Sequence, residues 1–404
     1  MKVLFDEPPF LEAKEIITKI QQFGYRAYFV GGCVRDLLLN KEIGDVDFAT
    51  SATPQEIMGI FDHVIPVGVE HGTVIVRYKH RSYEITTFRK EGKYSDQRHP
   101  DNVKFITTIE EDLKRRDFTI NALAMDQYGK IIDLFNGKND IKHHLIRTVG
   151  DGKERFMEDP LRIIRALRFS SQIGFSIEEK TKRAMIKVKP QIEKISVERI
   201  LVEFQKLFAG DEVDKAIRYF IHLKIYEHVP IFKDHPKLVE CFPKKWIPLN
   251  SFGAVITLLN YIYPKVTITE WIKAWKCSNA IKNVAHHLAF ALTYYNQNGI
   301  DEWLVYTLPP RLYKQFSDVV TILFPNDPLT EKTMFTISER LPIHGKKELA
   351  IDGNDLLNLF PKNKKGRWVG EYIRTLEKKV VFGQIENNKN VLKEWIRCHP
   401  PDIN

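Results

Sequence analysis

At 404 residues the chain exceeds what one ordinary core can organise, and size alone predicts two to four units. Hydrophobic residues make up 43% without low-complexity stretches, and no apolar run approaches the ~20 residues that cross a bilayer, which excludes a helical membrane protein. A net charge of +9 and a pI near 9.1 favour a polyanionic partner, an inference that gains weight only beside a site that handles nucleotides. The acidic, proline-broken start, Met1-Lys2-Val3-Leu4-Phe5-Asp6-Glu7-Pro8-Pro9, reads as neither a secretory nor a transit peptide. Four scattered cysteines (Cys33, Cys241, Cys277, Cys398) form no Cys-x-x-Cys pair, so a zinc or redox motif is not expected and the thiols read as reduced, in the cytoplasm.

In chain order, residues 11–24 read as an opening helix ending at Gly24. Strand-like segments follow at 27–30, 46–49, 64–67, 73–78, 83–87 and 103–105, with helices between them at 34–39 and 54–61. Beyond residue 140 helical periodicity takes over, with helices expected at 160–173, 178–187, 196–208, 212–222, 266–275, 279–296, 368–381 and 384–397. Prolines 230, 236, 243 and 248, and again 309, 310, 325 and 328, mark further boundaries. The expected class is α+β: a head with a small mixed β-sheet and flanking helices (1–140), followed by an elongated all-α arm. That arm divides into neck (141–208), body (209–310) and tail (311–404).

Two aspartates stand one residue apart in Gly44-Asp45-Val46-Asp47-Phe48-Ala49-Thr50. On an extended strand Asp45 and Asp47 would share a face roughly 6.5–7 Å apart, able to bracket two magnesium ions about 3.5–4 Å from each other. Upstream, Gly31-Gly32 separates a strand from a helix, and its backbone N–H groups, bare beside a helix start, suit a triphosphate. Asp-Val-Asp alone could be a solvated turn, and Gly-Gly an ordinary connection. In this order and at this spacing they resemble the signature of the nucleotidyltransferase superfamily.

The segment Glu111-Asp112-Leu113-Lys114-Arg115-Arg116-Asp117-Phe118-Thr119-Ile120-Asn121-Ala122 resembles the Arg-Arg-Asp-Phe-Thr motif of class II tRNA nucleotidyltransferases. So do Asp133-Leu134-Phe135-Asn136-Gly137, Glu158-Asp159-Pro160-Leu161-Arg162, and Ser196-Val197-Glu198-Arg199 with Glu203 and Lys206. The resemblance implies a bacterial CCA-adding enzyme: CTP and ATP as substrates, tRNA held by its 3′ end and folded body, Mg²⁺ on Asp45 and Asp47, no membrane association, and room for a homodimer. It assigns Gly32 and Arg35 to the triphosphate, Arg116 to the nucleotide, Asp117 and Asn121 to the ribose side, and Arg165 and Arg168 to phosphate charge. Glu84 could be a third acidic group or simply a solvent-facing strand residue, and stays outside the expected site.

The same resemblance gives base reading to Asp159 and Arg162, and the hydrogen-bond inventory explains why the pair can do it. A carboxylate only accepts and a guanidinium only donates. Cytosine and adenine each place an amino donor beside a bare ring nitrogen; uracil and guanine present the reverse pattern, which would leave polar groups unpaired. Asp159 also suits a helix cap and Pro160 a first helical position, but that reading leaves the stripe Arg162, Arg165, Arg168 unexplained. The polar run from Arg89 to Pro100, with Asp96-Gln97-Arg98, corresponds by resemblance to the loop that reshapes the pocket from C to A. Poly(A) polymerases and partial CC- or A-adding enzymes share the head motifs, and a non-catalytic RNA-binding module is the alternative of another class. A basic, aromatic-bearing tail (Lys362, Lys364, Lys365, Arg367, Trp368, Arg374, Lys378, Lys379) is expected to follow the tRNA backbone.

Overall fold

The computed structural model describes residues 8–92 and 103–400, so the expectation on Asp96-Gln97-Arg98 lies outside the described residues. Within them the chain divides into two compact units, meeting between Val239 and Glu240.

The first unit opens on α1 (Pro8–Gln22), whose buried Phe10, Ala13, Ile16, Ile17 and Ile20 recur at helical spacing. Phe10 meets Phe29 edge-on at 5.0 Å, seating the helix on the sheet. Next come β1 (Ala27–Val30), α2 (Gly32–Leu38), β2 (Asp47–Thr50), α3 (Pro54–Ile60), β3 (Val64–Ile65), β4 (Thr73–Tyr78) and β5 (Arg81–Thr87). α3 starts as its sequence requires: Thr53 and Glu56 form a reciprocal capping box and Pro54 fills the first helical position. After β6 (Arg89–Glu91) and β7 (Val103–Phe105), which pair with each other, follow α4 (Ile109–Lys114), β8 (Leu123–Met125) and β9 (Ile131–Asp133).

Seven of these strands form one sheet in the order β3-β4-β5-β2-β1-β8-β9. It is mixed, as expected: β2 and β5 run parallel, with Asp47 opposite Glu84, and every other neighbouring pair is antiparallel. β8 and β9 are not among the expected strands; β8 is buried at all three positions and β9 half-buried at all three, so neither shows alternation. The strand carrying the aspartates starts one residue later than expected, at Asp47.

The same unit continues with α5 (Gly137–Lys142), β10 (Leu145–Ile146), α6 (Gly152–Glu158), α7 (Leu161–Ile173), β11 (Ser176–Ile177), α8 (Glu179–Val188), α9 (Val197–Phe208) and α10 (Val213–His222). α7 is the central member, burying Ile163, Ile164, Ala166 and Leu167. Its sequence matches the expected helix to within a residue.

The second unit is helical: α11 (Phe252–Ile262), α12 (Ile268–Ala274), α13 (Asn279–Asn298), α14 (Glu302–Thr307), α15 (Tyr313–Leu323), α16 (Glu331–Ser338), α17 (Gly353–Leu359), α18 (Arg367–Val381) and α19 (Lys389–Cys398). Trp271, Trp275, Tyr313 and Phe316 are buried in it. α11 is absent from the expected helices because every residue from Phe252 to Leu259 is buried: a helix apolar all round has no stripe to detect. Among the described residues no helix is long and apolar enough to cross a membrane.

Candidate active site

A cavity of about 770 Å³ opens in the first unit between the sheet and the face of α7. Its wall contains Gly31, Gly32, Arg35, Asp47, Glu84, Arg116, Asp117, Asn121, Asp159, Arg162, Arg165 and Arg168. The structure therefore brings together every expected site residue except Asp45. Asp45 precedes β2, is exposed and lies outside that wall. Beside the expected Asp45 and Asp47, the sheet supplies a further carboxylate across two strands. Asp47 and Glu84 are register partners on parallel β2 and β5, and both line the cavity. The sequence leaves Glu84 open between a third acidic group and a solvent-facing strand residue; the pairing of β5 with β2 sets it beside Asp47.

Burial, and next the charge of Glu84, push the Asp47 carboxyl up to about 6, with Asp45 adding to the rise and Arg116 opposing it. Such a carboxylate favours a nearby cation. Among the described residues no three Asp, Glu, His or Cys side chains gather at metal-holding range. Magnesium does not require them: one or two carboxylates, with substrate phosphates and water, supply its hard oxygen ligands. Asp47 and Glu84 fit that donor set.

Gly31 carries more of the geometry than the expected Gly32. It adopts φ 75°, a left-handed conformation, and a Cβ there would stand 2.9 Å from Arg116 Nη1. Only glycine lets that guanidinium approach. The expectation of bare N–H groups needs correction at Gly31, whose N–H donates to the Leu123 carbonyl at 3.2 Å because β1–β8 pairing continues one residue past β1.

The arginines are tied down individually. Arg35 forks onto Asp36 (2.9 and 3.0 Å) and donates to Asn121 Oδ1 at 2.6 Å. Arg116 donates to the Asn121 carbonyl at 3.3 Å and lies 3.4 Å from Asp112, while its buried Nε has no hydrogen-bond partner. Arg165 meets Asp117 at 2.6 Å, and Arg168 meets Glu203 at 3.0 Å. Arg35, Arg165 and Arg168 surround the Phe169 ring, at 5.2, 5.4 and 4.3 Å from its centre. Burial first, then the neighbouring Arg165, bring the Arg168 guanidinium down to about 10. Burial acts to raise the Asp117 carboxyl, but Arg165, the Asn121 amide and Arg162 outweigh it and hold it well below the usual range. Asp112, fully buried, anchors Arg115 at 2.7 Å and orients Arg116 behind it.

Asp159 ends α6 and opens α7. Pro160 takes the cap position and Leu161 the first helical one, a residue later than expected; the Asp159 Oδ1 still accepts the Leu161 N–H at 3.0 Å, and its Oδ2 accepts Arg199 at 2.7 Å. Arg162 is held by Glu158 at 2.8 Å and by the carbonyls of Arg155 and Arg115, both at 3.1 Å. Carboxylate and guanidinium are thus presented one turn apart, each by its own supports. With Arg89, Arg115, Arg199 and Lys206 also in the wall, nine cationic side chains face four carboxylates. A ligand carrying several negative charges and a hydrogen-bonding edge fits this cavity.

Comparison with known proteins gives the family of the chain. A family model described as Poly A polymerase head domain matches residues 27–147, and one for tRNA nucleotidyltransferase domain 2 matches 250–396. A CCA-adding enzyme of Oceanobacillus iheyensis is 48% identical over 397 residues, covering 98% of this chain and 99% of that protein. One from Enterococcus faecalis is 41% identical over 401 residues, covering 98% of each. The crystal structure of the Bacillus stearothermophilus CCA-adding enzyme in complex with CTP superposes with a TM-score of 0.86 at 36% identity, covering 97% of each chain. A Thermotoga maritima CCA-adding enzyme complexed with tRNA shares the fold, with a TM-score of 0.62 at 22% identity over 97% of this chain and 96% of that one.

Proposed function

This chain belongs to the CCA-adding enzymes, a family of tRNA nucleotidyltransferases, and from that premise we propose how its cavity adds C and A to the 3′ end of tRNA from CTP and ATP. The observation that carries the reading is the paired arrangement around one cationic cavity: Asp47 beside Glu84 on the sheet, Asp159 beside Arg162 at the head of α7.

Asp47 and Glu84 would hold divalent metal, which we assign as Mg²⁺, with Asp45 able to contribute from the segment before β2. When bound, the metal supplies charge stabilisation at the reacting phosphate and at the pyrophosphate that leaves. Arg116, Arg165 and Arg168, beside Gly31 and Gly32, neutralise the triphosphate. Asp159 accepts the amino group of cytosine or adenine, and Arg162 donates to the ring nitrogen. Uracil or guanine would set a carbonyl against the carboxylate and an N–H against the guanidinium, so the protein reads the base without a template. Four cysteines with no disulfide among them, and the tRNA substrate, support a cytoplasmic location. The change from strands to helices near residue 140 supports the boundary between head and neck, while the two compact units meet within the proposed body, between Val239 and Glu240.

The test is tRNA lacking its 3′ end, incubated with each labelled nucleotide singly and in pairs. CTP alone should give two additions and stop, ATP alone none, and the two together C-C-A. Long tails from ATP alone would instead indicate a poly(A) polymerase. Asp159→Ala should lose about 2–4 kcal/mol of preference for C over U. Unaltered exclusion of UTP would leave Asp159 only as a support for the start of α7.

A further inference from the structure

We propose that Arg199, on α9, is a positioning residue for base selection: it locks the Asp159 carboxylate in the one orientation that accepts from a C or A amino group. The inference deepens the reading of Asp159 and Arg162 as the base-reading pair and rests on it.

Asp159 has only its own short side chain to aim its two oxygens, and free rotation of the carboxylate would blur an acceptor pattern. In the structure each oxygen is pinned by a different element. The Leu161 N–H of α7 donates to Oδ1 at 3.0 Å, and Arg199 donates to Oδ2 at 2.7 Å. The two bonds together fix the carboxylate plane. Each oxygen of a carboxylate keeps a second acceptor position, so the group remains able to receive a ligand N–H after both pins are made. The ion pair is well enclosed, with the side chains 15% and 23% exposed for Asp159 and Arg199, so solvent competes weakly for it. Both residues line the cavity.

One turn along α9, Glu203 meets Arg165 at 3.7 Å and Arg168 at 3.0 Å. α9 therefore presents two supports at a spacing of one helical turn, reaching different parts of the site. Arg199 stands behind the base reader and Glu203 behind the phosphate-facing arginines. If α9 were merely packed against α7, loss of either support would loosen the same helix pair and affect all nucleotides alike. If the supports are specific, the two losses separate: Glu203→Gln would raise KM for all four nucleotides together, whereas loss of Arg199 would change the ratio among them.

The experiment measures kcat/KM for CTP, ATP, UTP and GTP on tRNA substrates awaiting C or A, for the full chain and for Arg199→Ala, Arg199→Lys and Glu203→Gln, with melting curves alongside. The C-over-U preference of Arg199→Ala should fall about tenfold, the scale of one charge-assisted hydrogen bond. Arg199→Lys, which keeps the charge but not the planar fork, should recover part of it. Glu203→Gln should leave the ratio as in the parent. Should Arg199→Ala fail to fold, Arg199→Lys decides alone: an intermediate loss of preference supports the proposal and a parent-like ratio overturns it. A uniform loss across nucleotides in Arg199→Ala also overturns it. An Asp159→Ala control separates the two levels. If that variant still excludes UTP, base reading by Asp159 itself fails; if it accepts UTP while Arg199→Ala does not, only the role of Arg199 fails.

Discussion

Gly31 and Asp47 show how single residues determine what the cavity can do. A Cβ at Gly31 would both strain a backbone at φ 75° and press on Arg116. Gly31→Ala should therefore destabilise the protein by about 1–2 kcal/mol for the left-handed conformation alone. It should also raise KM for both nucleotides as Arg116 is displaced, read by denaturant melts and steady-state kinetics; an unchanged KM would mean that Arg116 does not grip the nucleotide. At Asp47 the burial that pushes its carboxyl up to about 6 costs stability in the absence of a cation. Asp47→Ala should accordingly abolish addition of both C and A while leaving tRNA affinity within a few-fold. Glu84→Gln should weaken both additions as well, through loss of a metal-facing oxygen. Appreciable A addition by Asp47→Ala would show that the two steps do not share one metal site.

At the scale of elements, α7 and the segment entering β8 are joined by the ion pair of buried Asp117 and half-buried Arg165. Because the folded state holds Asp117 below its ordinary range, the unfolded chain binds the extra proton first as pH falls. The stability from this contact is thus fully present above about pH 4 and is lost as pH falls through the lower folded value. Asp117→Asn should flatten the acid limb of a stability-against-pH curve. At pH 7 it should cost about 1–3 kcal/mol, because the half-buried Arg165 loses a charged hydrogen-bond partner and keeps only Glu203, at 3.7 Å, as counter-charge. An acid limb identical to the parent's would show that other carboxylates govern acid unfolding. The motif Arg-Arg-Asp-Phe-Thr points to Asp117 as a ligand-side group, whereas its bonds show a second task, holding an arginine of another element in place.

Across the whole molecule, basic charge has two uses. In the first unit it is concentrated in a cavity and restrained by carboxylates. On α18 and the turn before it, Lys364, Lys365, Arg367, Arg374 and Lys378 are exposed while Val369, Ile373, Leu376 and Val380 are buried. An amphipathic helix with a cationic outer face suits contact with a phosphate backbone. Replacing Lys364, Lys365 and Arg367 with alanine should lower tRNA affinity. The slope of log affinity against log salt should fall as well, by up to ~1 for each phosphate no longer neutralised. Turnover on saturating tRNA should change much less, since these groups stand in a unit that carries none of the proposed reacting residues. An unchanged slope would make the patch an ordinary solvated face.

The family-specific motifs, the long amphipathic helices and the change from strands to helices were legible in the order of residues, because these depend on neighbours within one or two turns. α7 and α13 could be read almost to the residue for that reason. Residues that act through distant partners were not legible. Glu84, equally readable in the sequence as a third acidic group or a solvent-facing residue, was placed beside Asp47 only by the parallel pairing of β5 with β2, a choice of sheet order that no local pattern encodes. Asp45 stands exposed before β2 and outside the cavity wall, a position that depends on where strand pairing begins. Arg199, visible as part of a motif, had no assigned task until α9 packed on α7 and brought it 2.7 Å from Asp159. Local periodicity thus specifies the elements, while side chains forty residues apart in the chain meet only through the burial that packs one element on another.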